Sequence, residues 1–340
     1  MMSRPRQTAL YAAVALAGSF AVGAVWATHP QWGFLSQFLM WSPGVAALVV
    51  MLVVRREPPR AMGFAFTGAA PWLAALLYPF GVIACCVLIA RGLGAVTGAD
   101  VIHLQADTVR FKVFGVEAVG FGLVPLRILR NLQLMLPWLA LALAYRFELP
   151  ERLGVGRHLA RLLLWAQVFY FTPGPWWLPP GTIGEELGWR GFLVRIWRDR
   201  PLTSCAIGAA CWAAFHLPVI ALEPSLQSFF PAASFLLSIA AAWAPHQALY
   251  RWSGSVWPPV VLHFTWNFWN PFFLGNQYGP GMSIFGGKQW LINGEGLLGL
   301  LVNGAATVVL VRYWKRQASA GSGAATLSTQ MRTPVVSSRP

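Results

Sequence analysis

Charge is what this chain has least of. Only 11% of its 340 residues are charged, against about 25% in a typical soluble domain. Acidic residues number 11, and lysine occurs only as Lys112, Lys288 and Lys315. Cysteine is scarce as well. Cys85-Cys86, Cys205 and Cys211 form no CxxC and fall in apolar stretches, where they read as small packing groups. No HExxH occurs, which removes the strongest sequence signal for a zinc protease.

Apolar length is what it has in abundance. Hydrophobic residues make up 56% of the chain, with a mean hydropathy of +0.55. Runs of about 20 residues recur, the length that crosses a hydrocarbon core of about 30 Å. The runs predict spans near 8–28, 33–54, 70–90, 126–146, 158–178, 201–222, 232–250, 256–274 and 290–312, with a further embedded helix at 182–198. The expected fold is therefore all-α, a polytopic transmembrane bundle of about 8–10 membrane helices with the active site inside it. Arg4 and Arg6 ahead of the first run could be read as a signal peptide. That run, Ala9 to Ala27, exceeds the usual apolar region of about 7–15 residues, so an uncleaved first span is expected.

The net charge of +14 gathers at span ends, at Arg55, Arg56 and Arg60, at 195–200, at Arg251 and at 312–316. A nucleic-acid binder would concentrate it on one exposed domain. Here it follows the positive-inside rule, with the N-terminus and alternate loops cytoplasmic. The expected partners are membrane lipids and no nucleic acid, and the arginine-rich composition points to the cytoplasmic membrane of a bacterium. Four regions follow: N-terminal helices at 1–150, a functional core at 155–275, a last membrane helix at 276–313, and a basic, disordered tail at 314–340. The polar stretch 99–117 is the expected extracytoplasmic excursion. Pro43, Pro79 and Pro137 are expected to kink their helices. The Pro-rich run 173–180 breaks the chain before the motif helix, and Trp176, Trp177, Trp189 and Trp197 read as interface anchors.

Against this background Gly184-Glu-Glu-Leu-Gly-Trp-Arg-Gly191 stands out, the one place where two acidic residues adjoin. Three ionisable groups at bilayer depth cost roughly 8–10 kcal/mol if unpaired. Glu186 and Arg190 are four apart on one helix face and should pair. Glu185 lies about 100° away, a carboxylate suited to general-base chemistry. Two further elements supply imidazoles: Trp212-xxx-His216, and His263-xxx-Asn267 with both groups on one face. Two chemistries fit. In one, Glu185 and His216 activate water while His263 and Asn267 stabilise an oxyanion. In the other, Glu185, His216 and His263 hold a divalent metal such as Zn²⁺. Spacing does not separate them.

Diglutamate-xxx-Arg, aromatic-xxx-His and His-xxx-Asn, in that order over roughly 180–270, resemble the CPBP family of intramembrane proteases. That family includes the CAAX prenyl endopeptidases and bacteriocin-processing, Abi-like proteins. The resemblance implies an endopeptidase acting on membrane-associated or lipidated peptides, with Glu185 as base, His216 as its partner, and His263 with Asn267 at the oxyanion. Glu186, Arg190 and Trp212 would support them. Trp212 stands where the family often has Phe, a change to pocket shape. Family members are often labelled metalloproteases, whereas the glutamate-dependent mechanism requires no metal. The other readings are a non-catalytic scaffold or immunity factor of the same fold and a proton-coupled transporter. A transporter would show a matching broken helix in a second half, and none is evident.

Other polar residues read as structural. His246 is expected to pack or to end a helix, and Asn270 to face the cavity or cap a helix. Glu223 and Glu295 read as solvated interfacial groups, and Asp100, His103 and Asp107 as parts of a surface loop.

Overall fold

The computed structural model of the protein describes residues 2–30, 32–95, 110–113, 116–119, 181–275 and 285–330. The expected spans at 126–146 and 158–178, Pro137, the boundary near 150, the Pro-rich break with Trp176 and Trp177, and Asp100, His103 and Asp107 lie outside the described residues. What is described is an all-α bundle. The exception is a two-stranded antiparallel hairpin of Arg110–Val113 and Val116–Val119, within a stretch whose composition predicted only loop.

Helix α1 (Arg4–Thr28) pairs with α2 (Leu35–Val49), which runs on as a π-helix to Arg55. Helix α3 (Ala69–Gly92) follows; Pro43 and Pro79 lie inside α2 and α3. The motif helix α4 (Gly181–Glu186) continues as a π-helix over Leu187–Val194. Then come α5 (Pro201–Phe215), the short α6 (Leu217–Leu222), α7 (Phe229–Ser253), α8 (Trp257–Leu274), the short α9 (Gln289–Ile292) and α10 (Leu297–Gln330). Among the described residues, six helical stretches are long and apolar enough to cross a membrane. Their outer faces expose large apolar side chains such as Leu77, Leu88, Phe229 and Val309, a surface suited to lipid rather than water.

The motif helix is the centre of the bundle, with every residue from 181 to 194 buried. Its glycines explain how it gets there. A Cβ on Gly184 would lie 2.7 Å from Trp41 Cα, and one on Gly188 would lie 2.5 Å from the Pro43 backbone. Two small residues four apart thus let α4 and α2 touch backbone to backbone, the packing available where apolar solvent offers no hydrophobic driving force. On the other side, a Cβ on Gly208 of α5 would collide with the Trp243 ring of α7, so those helices also close tightly.

Two expectations change here. Trp189 and Trp197 are buried, not interface anchors. Trp189 packs edge-on against Tyr11, Phe215 and Trp243, and the Trp197 indole donates to Thr8 Oγ1 at 3.0 Å. Helix α10 runs on to Gln330, past the expected start of the tail at 314. Its Ala, Lys, Arg and Gln residues have helix propensity enough to continue a helix already anchored by packing. Residues 331–340 lie outside the described residues.

Among the described residues the arginine clusters converge on one end of the bundle. Arg4 pairs with Asp199 at 2.6 Å. Arg55 and Arg195 both pair with Glu57, at 2.6 and 2.7 Å, and Arg55 also donates to Gln7. Arg251 donates to the Arg198 carbonyl. The start of α1 and the ends of α2, α4 and α7 therefore share one polar face.

Candidate active site

Glu185 and Glu186 are successive residues on the most buried helix and point to different partners. Glu186 Oε1 accepts from Arg190 Nη1 at 2.9 Å and from His263 Nδ1 at 2.9 Å. The expected i,i+4 pair thus forms, and it extends to α8. Arg190 is fully buried. Its guanidinium carbon lies 4.5 Å from the Trp212 ring and 4.4 Å from the Trp243 ring, so two indole faces take the place of solvent around the cation.

Glu185 Oε2 accepts from the indole N–H of Trp212 at 2.7 Å and from that of Trp189 at 3.3 Å. Two neutral donors hold it, and among the described residues no cation pairs with it, which keeps this carboxylate distinct from its neighbour. Trp212 therefore links both halves of the diglutamate motif, its N–H on Glu185 and its face on Arg190.

His216 caps the C-terminus of α5, where Pro218 prevents the helix from continuing. Its Nδ1 lies 2.7 Å from the Trp212 carbonyl, one of the acceptors that a helix end leaves over. Nδ1 therefore carries the proton and Nε2 keeps its lone pair. Ser19 of α1 donates to the Phe215 carbonyl at 2.9 Å and steadies the same turn.

Glu185, Trp212, His216, His263 and Asn267 all line one cavity of about 470 Å³. Asn267 is exposed, the other four buried. The structure thus gathers the residues expected from the three motifs, with Glu186 and Arg190 directly behind them.

It also brings in a residue that was set aside. His246 lines the same cavity and is 4% exposed. Its Nδ1 bonds the Ala242 carbonyl at 2.8 Å, while its Nε2 is buried without a partner. The rings of His216, His246 and His263 lie 6.1, 5.2 and 5.7 Å from that of Trp212. The available signal was the one used for the other two histidines, an imidazole inside an apolar run. His246 simply lacked a polar partner one turn away.

Glu295 needs correcting too. It is 5% exposed, lines the cavity and accepts from Trp266 Nε1 at 3.0 Å, so it is not a solvated interfacial group. Asn270 braces the same loop, donating to Asn293 Oδ1 at 2.9 Å and accepting from the Gly294 N–H at 3.0 Å. Glu223 caps a short turn by accepting from the Ser225 N–H.

Among the described residues, the one group able to surround a metal is Glu186, His246 and His263, whose donor atoms lie within 4.8 Å of one another. The set Glu185, His216 and His263 does not close in this way. Glu, His and His would suit Zn²⁺. Here Glu186 Oε1 is already taken by Arg190 and His263, and a buried guanidinium beside the site opposes a dication, while Glu186 Oε2 and His246 Nε2 have no partner among the described residues. The same atoms therefore serve an ion-paired cluster and would also admit a metal.

Residues 162–269 match the family described as Rce1-like, type II CAAX prenyl endopeptidase. The matched stretch contains all three motifs and His246. No curated protein matches the chain.

Proposed function

We propose that this integral membrane protein, whose match to the Rce1-like family over residues 162–269 supports a place in the CPBP/CAAX proteases, hydrolyses peptide bonds of membrane-associated or lipidated peptides with water activated by Glu185 and His216. At family level the activity is that of an intramembrane CAAX-type endopeptidase; the residue roles and the substrate are our reading. The observation that carries it is the asymmetry of the two carboxylates around a single cavity. Glu186 is neutralised by Arg190, while among the described residues Glu185 accepts from two indole N–H groups and from no cation.

With Oε2 held by two indoles, Glu185 has Oε1 left to take a proton from water. The His216 lone pair faces the same cavity and orients that water. Attack on the scissile carbonyl builds negative charge on its oxygen, where His263 Nε2 and the Asn267 amide would donate. His263 Nδ1 already donates to Glu186, so an Nε2 proton makes the ring an imidazolium, and Glu185 and Glu186 together offset its charge and that of Arg190. The proton collected by Glu185 then passes to the leaving amine. No step here is routed through a metal.

We place the protein in the cytoplasmic membrane of a bacterium, a reading supported by its apolar helices and by its single arginine-rich end. The test is cleavage of a library of lipidated and transmembrane peptides by detergent-purified protein. Glu185→Ala, His216→Ala and His263→Ala, at equal folded yield, should each lose activity, by about 10²–10⁴-fold for the proton-transferring groups. Cleavage that persists unchanged in all three overturns the assignment. A chelator titration of the same assay should leave the rate unaltered.

A further inference from the structure

Among the described helices the bundle is electrically lopsided, and its cavity sits on the side that their arginines avoid. At the end formed by the start of α1 and the ends of α2, α4, α7 and α10, the described residues carry twelve basic side chains against Glu57 and Asp199. At the opposite end Arg91 and Lys288 are matched by Glu223 and Glu295. By the positive-inside rule the first end is cytoplasmic.

Several helices that build the cavity contribute residues remote from that end, while Tyr78 of α3 lines it from mid-helix. Helix α1 offers Trp26, near its last turn, and α2 its beginning, at Gly33 and Ser36. Helix α8 offers Asn267 and Pro271, well after its start at Trp257, and Gly294 and Glu295 stand just ahead of α10. None of the twelve basic residues lines the cavity. At about 1.5 Å of rise per residue, Trp26 stands roughly 33 Å along α1 from Arg4, about the thickness of a hydrocarbon core. The cavity wall thus reaches the far membrane surface, where Gly33 and Asn267 are exposed.

We propose that the cavity is entered from the extracytoplasmic side, so that its substrates are peptides or lipidated proteins presented on the outer face of the membrane. The claim rests on the cavity being the reaction site, as argued above. A substrate finished in the cytoplasm would have to cross the bilayer first, or be an exported or membrane-anchored chain whose cleavage point emerges outside.

Two glycines make the test symmetrical. A Cβ on Gly33, at the cavity mouth, or on Gly68, at the arginine-rich end, would meet nothing within 4 Å, so either position accepts cysteine without strain. In a background with Cys85, Cys86, Cys205 and Cys211 replaced by alanine, Gly33→Cys and Gly68→Cys are expressed in a bacterial host. Both are treated with a membrane-impermeant charged maleimide, in intact cells permeable at the outer membrane only and after full permeabilisation. The expected result is labelling of Gly33→Cys in intact cells and of Gly68→Cys only after permeabilisation. The reverse pattern overturns the proposal, and so does equal labelling of the two. A second arm adds substrate peptide outside proteoliposomes sorted for the same orientation. Correct labelling with no cleavage defeats the protease reading and leaves the orientation standing. Cleavage only of peptide trapped inside the vesicles defeats the entry route.

Discussion

The buried pair Glu186–Arg190 permits a quantitative test of how the site is held. Both side chains are 0% exposed and 2.9 Å apart. Removing one partner of such a pair leaves the other charge buried and costs about 3–5 kcal/mol. Arg190→Met would also lose two indole faces, each worth up to about 2 kcal/mol when desolvated. A loss of about 4 kcal/mol or more follows for the single change, about a thousandfold in the folding equilibrium. Removing both charges differs in kind, because replacing a buried pair by neutral groups of similar volume is often close to neutral. Glu186→Gln with Arg190→Met keeps an amide oxygen to accept from His263 Nδ1 and an unbranched chain between Trp212 and Trp243. The double variant should therefore be less than about 2 kcal/mol below wild type, a coupling of at least about 2 kcal/mol. The assay is unfolding of purified protein by SDS in mixed micelles, followed by tryptophan fluorescence. Additive losses, with coupling below about 1 kcal/mol, would refute the reasoning and mean that Arg190 acts mainly through its packing.

Three further changes probe other features. Gly188→Ala drives a methyl into the Pro43 backbone and should cost about 1–3 kcal/mol or more; Gly81→Ala, where a Cβ meets nothing within 4 Å, should be neutral or slightly stabilising in the same SDS unfolding assay. Asn267→Ala should lower kcat by about 10²–10³-fold with KM nearly unchanged, measured on any peptide that wild type cleaves. The Arg55 hydrogen bond, opposed by partial burial and seconded by Arg195, holds Glu57 below its ordinary value of 4.5. Its stabilising effect is therefore present above that value and fades as pH falls through the lowered one. Stability profiles below about pH 5 should be flatter for Glu57→Gln than for wild type.

What could be read in advance followed physical periodicity. Helix length against bilayer thickness marked the apolar helices, and i,i+4 spacing marked Glu186 with Arg190 and the shared face of His263 and Asn267. Contacts between helices distant in sequence left no such trace. The Trp212 N–H on Glu185 spans 27 residues and the Glu186–His263 bond 77, and no local pattern encodes either. His246 was read as a packing or helix-end group because it belongs to none of the three motifs that marked the other two histidines. Trp189 and Trp197 were misread because tryptophan serves both membrane interfaces and cores, and burial alone separates the two uses. Glu295 looked solvated because it adjoins a loop, yet that loop folds back on Asn270.

The wholly buried motif helix has a consequence for how the protein is made. Its two glutamates and one arginine each oppose insertion by roughly 2.5–3.5 kcal/mol, so the segment has little drive to enter lipid alone. Helix α2, which receives its glycines, is synthesised earlier. The indoles of Trp212 and Trp243 and the imidazole of His263 come later, the last 77 residues after Glu186. At about 5–20 residues per second that interval is on the order of 4–15 s. During it the motif segment must wait at the translocon or beside α2 until α8 arrives, and the cavity wall closes only when Gly294, Glu295 and α10 follow. Assembly of the site is therefore among the last steps of biogenesis.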